Sequence, residues 1–291
     1  MYRFVLLTYC FLAAGNMYAQ WNKPASNSLK QNISSTPVPE QVTFCGEKVP
    51  LEYFDTKESL RREMNAISYW HSSMIYTLQL SNRYMGTIEK LLKQYEVPDD
   101  MKYVCIAESN LQNLVSPSKA AGFWQFLSGT AKDFGLTVNS EIDERYNLEK
   151  STKAACEYLK KAYDRFGNWT LAVASYNVGM SYISNQIEMQ KQNSYYDMYL
   201  NSETSRYVFR AIAYKLIIQN PETYGFQVHK NDMKPLQYSE IEVTGPVNWI
   251  EFALSNGTNY KLLRMFNPWI IDSKLSSTKT YTVKIPSKRE Q

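Results

Sequence analysis

The sequence predicts a mainly α-helical protein with a small α+β region at its C-terminal end. From about Thr56 to Phe226 apolar residues recur at three- and four-residue intervals, the spacing of one helical face. Beyond that point Ile241-Glu-Val243 and Tyr281-Thr-Val-Lys-Ile285 alternate like strands, with two helical stretches between them at about 249 to 254 and 260 to 266. At 291 residues, 44% hydrophobic and 14% aromatic, the chain has material for one medium core and one small one.

The elements follow in order. Met1-Tyr-Arg-Phe-Val-Leu-Leu-Thr-Tyr-Cys-Phe-Leu-Ala-Ala14 carries one basic residue and then an apolar run too short to span a bilayer, which reads as a signal peptide over residues 1–19, cut near Ala19. The large Tyr9 before Cys10 argues against lipidation there. Residues 20–48 are expected to form a flexible linker, rich in Ser, Asn, Pro and Lys up to Pro39. The periodicity from about Thr56 to Tyr95, free of internal Pro, predicts one or two helices, and Pro98 separates them from the next.

That next helix carries the most informative residue. In Pro98-Asp-Asp-Met-Lys-Tyr-Val-Cys-Ile-Ala-Glu-Ser109, Met101, Val104, Cys105 and Glu108 share one face at i, i+3, i+4 and i+7. A carboxyl on a buried stripe holds its proton near neutral pH, as a general acid must. On position alone the plainer reading takes precedence, a Glu at a helix end reaching past the core to water. Further on, Ser151 is the expected N-cap of a helix closed by Gly167, and Trp169, Ala172, Val173 and Tyr176 repeat the spacing of the Glu108 stripe. A helix after Asn201 or Ser202 takes Glu203 in its first turn, where the helix dipole favours an anion, and runs to Pro221.

Loss of residues 1–19 removes Arg3 and leaves 31 basic against 28 acidic side chains, a net charge of +3. So mild a charge does not call for nucleic acid, and suits a polymer bearing carboxylates. Cys45, Cys105 and Cys156 remain, an odd number, and the last two lie on apolar faces where buried free thiols are expected rather than a disulfide scaffold. His71 and His229 are far apart and no Cys/His/Asp cluster has metal-ligand spacing, so neither a metal site nor a cofactor is expected.

Four segments then reverse the reading of Glu108. Glu108-Ser109, Gly122-Phe-Trp-Gln-Phe126, Ala174-Ser-Tyr-Asn-Val-Gly179 and Glu203-Thr-Ser-Arg-Tyr-Val208 occur in this order over about 110 residues. Together they resemble the lytic murein transglycosylases of the soluble-lytic-transglycosylase and goose-lysozyme-like superfamily, nearest to the membrane-bound D type. Asp143-Glu-Arg145 and Lys150-Ser-Thr-Lys-Ala-Ala-Cys-Glu-Tyr-Leu159 add to the likeness. The resemblance implies a lysozyme-like α-helical catalytic domain over residues 49–226. The strand, helix, helix, strand order at 235–286, with Asn267-Pro268 after the second helix, resembles a degenerate LysM module, and reads equally as a packing appendix.

What the resemblance implies for chemistry is specific. Glu108 is the single catalytic acid and base on a β-1,4 bond between N-acetylmuramic acid and N-acetylglucosamine, leaving a 1,6-anhydro end. Ser109 and Gln125 bind the sugar, Tyr176 orients Glu108 or the transition-state sugar, Asn177 organises the turn before Gly179, and Glu203 faces the cleft from the other side. Trp124 is expected in the core. Leu111 stands where the family commonly has an aromatic residue, and Lys119 where its turn often has Gly. Two alternatives remain: a goose-type lysozyme-like hydrolase drawing on Asp133, Asp143 or Glu144, and a catalytically silent peptidoglycan-binding protein. The expected partner is the glycan strand of peptidoglycan, met by a monomer exported to the periplasm or envelope of a bacterium.

Overall fold

The computed structural model describes residues 34–287, so the expected signal peptide, Cys10 and most of the expected linker lie outside the described residues. The core is mainly α-helical, with a small C-terminal βααβ region. A short hairpin comes first, β1 (Thr43–Phe44) and β2 (Glu47–Lys48). Val42, Phe44 and Val49 are buried, so packed structure begins inside the 20–48 stretch expected to be linker. The cause is local: Val42 and Phe44 lie two apart on extended chain and face the same way.

Helices α1 (Phe54–Tyr69) and α2 (His71–Gln94) follow, broken at Trp70. A single 3₁₀ turn, Asp99–Met101, leads into α3 (Lys102–Ser109), which ends at Asn110 in the left-handed conformation. After α4 (Ser128–Asp133) comes α5 (Leu148–Phe166), closed by Gly167 at φ 73 as expected. Its start differs from the expectation. Asn147 is the N-cap, accepting from the Lys150 N–H at 2.9 Å, while the Ser151 hydroxyl turns back to donate to the Asn147 carbonyl at 2.6 Å. A serine one turn inside a helix has that option, so it does not mark the first turn.

Helices α6 (Trp169–Val178), α7 (Met180–Gln190) and α8 (Thr204–Gln219) complete this part. Helix α8 packs against α1, α3 and α6, so the Glu108 helix and the Tyr176 helix are both set by one central rod. The Glu47 carboxylate caps α6, accepting from the Trp169 N–H at 2.5 Å and the Thr170 N–H at 3.0 Å. These N–H groups have no partner inside the helix, and an anion there also meets the favourable end of the helix dipole.

The C-terminal region has the expected strand, helix, helix, strand order. Strand β3 (Tyr238–Thr244) pairs antiparallel with β6 (Thr280–Pro286), β4 (Val247–Asn248) pairs with β5 (Lys274–Leu275), and α9 (Trp249–Ser255) and α10 (Tyr260–Phe266) lie between. Tyr281, Val283 and Ile285 point inward from β6, onto Trp249, Leu263 and Trp269. The Asn267 side chain is fully buried and satisfied by the Leu263 and Lys284 backbone. Ile142 of the helical part sits in this same small core and bridges to Ile270, while the Asp143 N–H donates to the Trp269 carbonyl at 2.9 Å. No helix among the described residues is long and apolar enough to cross a membrane.

Candidate active site

Glu108 lies on the last turn of α3 and opens into a cleft of about 840 Å³. Met101, Val104 and Cys105 of its stripe are completely buried, so the helix cannot turn the carboxyl away from the core. Burial raises the Glu108 pKa to about 7, against the opposing pull of a hydrogen bond from the Tyr207 hydroxyl to Oε1 and of the nearby Arg210 guanidinium. At neutral pH the group is poised between acid and base. Burial and the adjoining carboxyl push the Tyr207 phenol well above its ordinary value, so it stays a donor.

The loop after α3 forms one wall. Gly122 has φ +82, and a Cβ there would sit 1.9 Å from the Arg145 carbonyl oxygen, so no other residue fits. Arg145 is clamped to Asp143 by a buried pair at 2.6 Å, and its other nitrogen donates to the Lys119 and Phe126 carbonyls at 2.9 and 3.0 Å. That guanidinium holds both ends of the Gly122 loop. Trp124 is in the core, as expected, its indole N–H bonded to Thr152 at 2.9 Å.

Glu108, Gln125, Tyr176, Asn177 and Glu203 all line this cleft, and Ser109 does not. The Ser109 hydroxyl is buried and donates to the Phe123 carbonyl at 2.8 Å, since one residue beyond Glu108 on a helix is about 100° around and points into the loop. Gln125 adopts a left-handed backbone and commits both amide hydrogens, to the Leu114 and Gly122 carbonyls at 3.0 and 2.8 Å, which leaves its Oε1 as the free group. Tyr176, expected to orient Glu108 or the transition-state sugar, lines the cleft and donates its hydroxyl hydrogen bond to the Trp124 carbonyl at 2.8 Å. Its ring is wedged edge-on against Trp124, Phe126 and Tyr158. Asn177 accepts from the Thr204 hydroxyl at 2.8 Å and ties the end of α6 to the start of α8.

Asn201 caps α8, and Glu203 stands at the helix start with its carboxylate on Arg210 at 2.9 Å. Arg210 also faces the buried Glu63, at 3.5 Å, which holds Arg206 at 2.6 Å. Sequence reasoning missed Tyr207, Arg210 and Glu63 as parts of the site. The first lies inside the Glu203-Thr-Ser-Arg-Tyr-Val208 segment, one turn after Glu203, where only its inward position is legible. Of the carboxylates set aside for a hydrolase, Asp143 is tied to Arg145 and Glu144 to Lys150, and only Asp133 lines the cleft. Among the described residues no group of His, Cys, Asp or Glu has the arrangement of a metal site. Cys105 and Cys156 are buried free thiols.

Comparison with known proteins adds to this geometry. Residues 86–199 match the transglycosylase SLT domain, and residues 239–289 match the soluble lytic transglycosylase C-terminal LysM-like domain. Over 285 residues, 95% of its length, the chain is 25% identical to membrane-bound lytic murein transglycosylase D of Escherichia coli strain K12, and equally to that of strain O6:H1. It spans 62% of the length of those relatives.

Proposed function

Because the chain carries a domain of the transglycosylase SLT family followed by a LysM-like domain of the soluble lytic transglycosylase type, we propose that it is a lytic transglycosylase of peptidoglycan with Glu108 as its one acid and base. The observation that carries this reading is a desolvated carboxyl, pKa raised to about 7, held by Tyr207 at the wall of an open cleft. Most glycosidases use two carboxylates, one of them to activate or replace water. Here, of the two other carboxylates that line the cleft, Glu203 and Asp133, the one that acts on Glu108, Glu203, is neutralised by Arg210. The substrate then supplies the nucleophile, the C6 hydroxyl of N-acetylmuramic acid.

Glu108 in its acid form protonates the departing glycosidic oxygen. The resulting carboxylate takes the C6 hydroxyl proton as that oxygen closes on C1, which regenerates the acid and leaves a 1,6-anhydro ring. No water is consumed. The free Oε1 of Gln125 suits a sugar hydroxyl or the N–H of an acetamido group, and Lys161 and Arg165 along the cleft suit a polymer bearing carboxylates. Glycan strands are the proposed partner, and the bacterial cell envelope, reached by export, the proposed place of action.

Asp133 in the same cleft is the one observation favouring a lysozyme-like hydrolase. Mass spectrometry of muropeptides released from purified sacculi decides. Anhydro ends, lighter by one water than lysozyme products, are expected, and should vanish with Glu108→Gln. Reducing ends as the main product would refute the transglycosylase and favour the hydrolase, while undiminished release by Glu108→Gln would refute both.

A further inference from the structure

A second cavity, of about 370 Å³, opens between the helical part and the C-terminal module and shares no lining residue with the cleft. Neighbouring residues of one loop serve the two: Phe123 lines this cavity, Gln125 and Phe126 the cleft. Its walls are aromatic, with Tyr84 and Tyr146 from the helical part and Tyr238 and Trp269 from the module. Such walls suit an apolar body flanked by a few placed polar groups, the usual make-up of a ligand pocket.

The polar groups define the ligand. Arg83 lines the same cavity and donates to the Lys234 carbonyl at 3.3 Å, with no carboxylate in ion-pair range among the described residues. Lys284 and Glu149, also in the lining, satisfy each other. The lining therefore offers a half-exposed guanidinium, without a carboxylate partner among the described residues, beside aromatic walls.

We propose that this junction cavity is a binding site for a short peptide acid, its carboxylate given to Arg83 and its side chain laid against Tyr84 and Tyr238. The chemistry stands independently of Glu108; only the peptide's origin, a stem peptide of the wall, rests on the function proposed above.

The test uses the full chain with Glu108→Gln, so that nothing is turned over. N-acetyl-alanyl-glutamate is titrated by calorimetry while the nitrogen-labelled Trp269 indole is followed by NMR, with the same peptide as its diamide and a chitin trisaccharide as comparisons. Saturable binding of the acid that shifts Trp269 is expected, weakened about 10- to 100-fold by Arg83→Gln, the worth of one charge-assisted hydrogen bond. Leu236→Glu, at the exposed edge of the cavity, should weaken it as well, by charge repulsion. An N-acetylmuramoyl form of the peptide binding more tightly than the peptide alone supports a wall origin, and equal binding supports a free peptide. No Trp269 shift up to about 10 mM, equal affinity for the diamide, or a shift caused by the trisaccharide alone would each overturn the proposal. None of these readouts depends on activity, so failure here leaves the Glu108 reading untouched.

Discussion

Tyr207 and Glu108, ninety-nine residues apart in the chain, are joined by a hydrogen bond from the phenol hydroxyl to the carboxyl Oε1. The bond crosses from α8 to α3 and fixes the direction of the one carboxyl that burial holds near neutrality.

Tyr207→Phe should move the alkaline limb of the pH–activity profile upward. The phenol favours the charged form of Glu108, so its loss raises the carboxyl further above about 7 and extends the pH range of the acid form. The maximal rate should fall about 100-fold, the scale of one preorganised donor. Tyr176→Phe, whose hydroxyl serves the Trp124 carbonyl, should leave the limb where it is. An unmoved limb in Tyr207→Phe would remove the phenol from the control of Glu108.

The same carboxyl should make stability fall as pH rises. Its folded-state pKa lies above the ordinary 4.5, so ionisation is disfavoured in the fold, and the loss begins near 4.5 and is complete somewhat above 7. A shift of that size corresponds to about 3 kcal/mol at most. Glu108→Gln does not titrate, so its advantage over the parent should grow across this window. Denaturant melts of both proteins at about pH 4 and pH 8 check it, and a constant difference would contradict the burial of the charge.

Asp143→Ala should cost about 3–5 kcal/mol, because it leaves the Arg145 guanidinium buried without its counter-charge. The loop it holds, from Lys119 to Phe126, should open early in hydrogen exchange. A loss under about 1 kcal/mol would mean that solvent reaches the pair.

Removal of residues 240–291 should lower the melting temperature of the helical part as well as its retention on insoluble peptidoglycan. Ile142, completely buried in the small core, would be bared to water at a cost of roughly 1.5–3 kcal/mol, or several degrees. An unchanged melting temperature with lost retention would describe an independent binding module.

Glu63→Gln should act through Arg210, which it holds from the buried side while Glu203 holds it from the cleft. With one restraint gone the guanidinium is freer to approach Glu108 and favour its charged form, so the alkaline limb should shift downward, opposite to Tyr207→Phe. A shift in the same direction as Tyr207→Phe would show that Arg210 acts otherwise.

The sequence by itself determined the helices, the βααβ order at the C-terminal end, the core position of Trp124, the buried thiols and the candidacy of Glu108. The elements and the buried positions depend on neighbours within a turn or two, where periodicity and capping chemistry speak directly, whereas the candidacy of Glu108 came from the order of four motifs over about 110 residues. Local pattern also misled where one residue had two local uses, as Ser151 did by bonding backward rather than capping. Tertiary structure alone decided which hydroxyl meets Glu108, why Ser109 turns into the Gly122 loop, and that Arg145 is the clamp of that loop. It also decided that the hairpin of Phe44 belongs to the core and that Ile142 belongs to the small one. These contacts join segments from 14 to more than a hundred residues apart, and only the packing of the folded chain brings them together, as α8 does for Tyr207 and Glu108 by lying against α3. A stripe records that a side chain is buried, and the partner it meets is a property of the other helix.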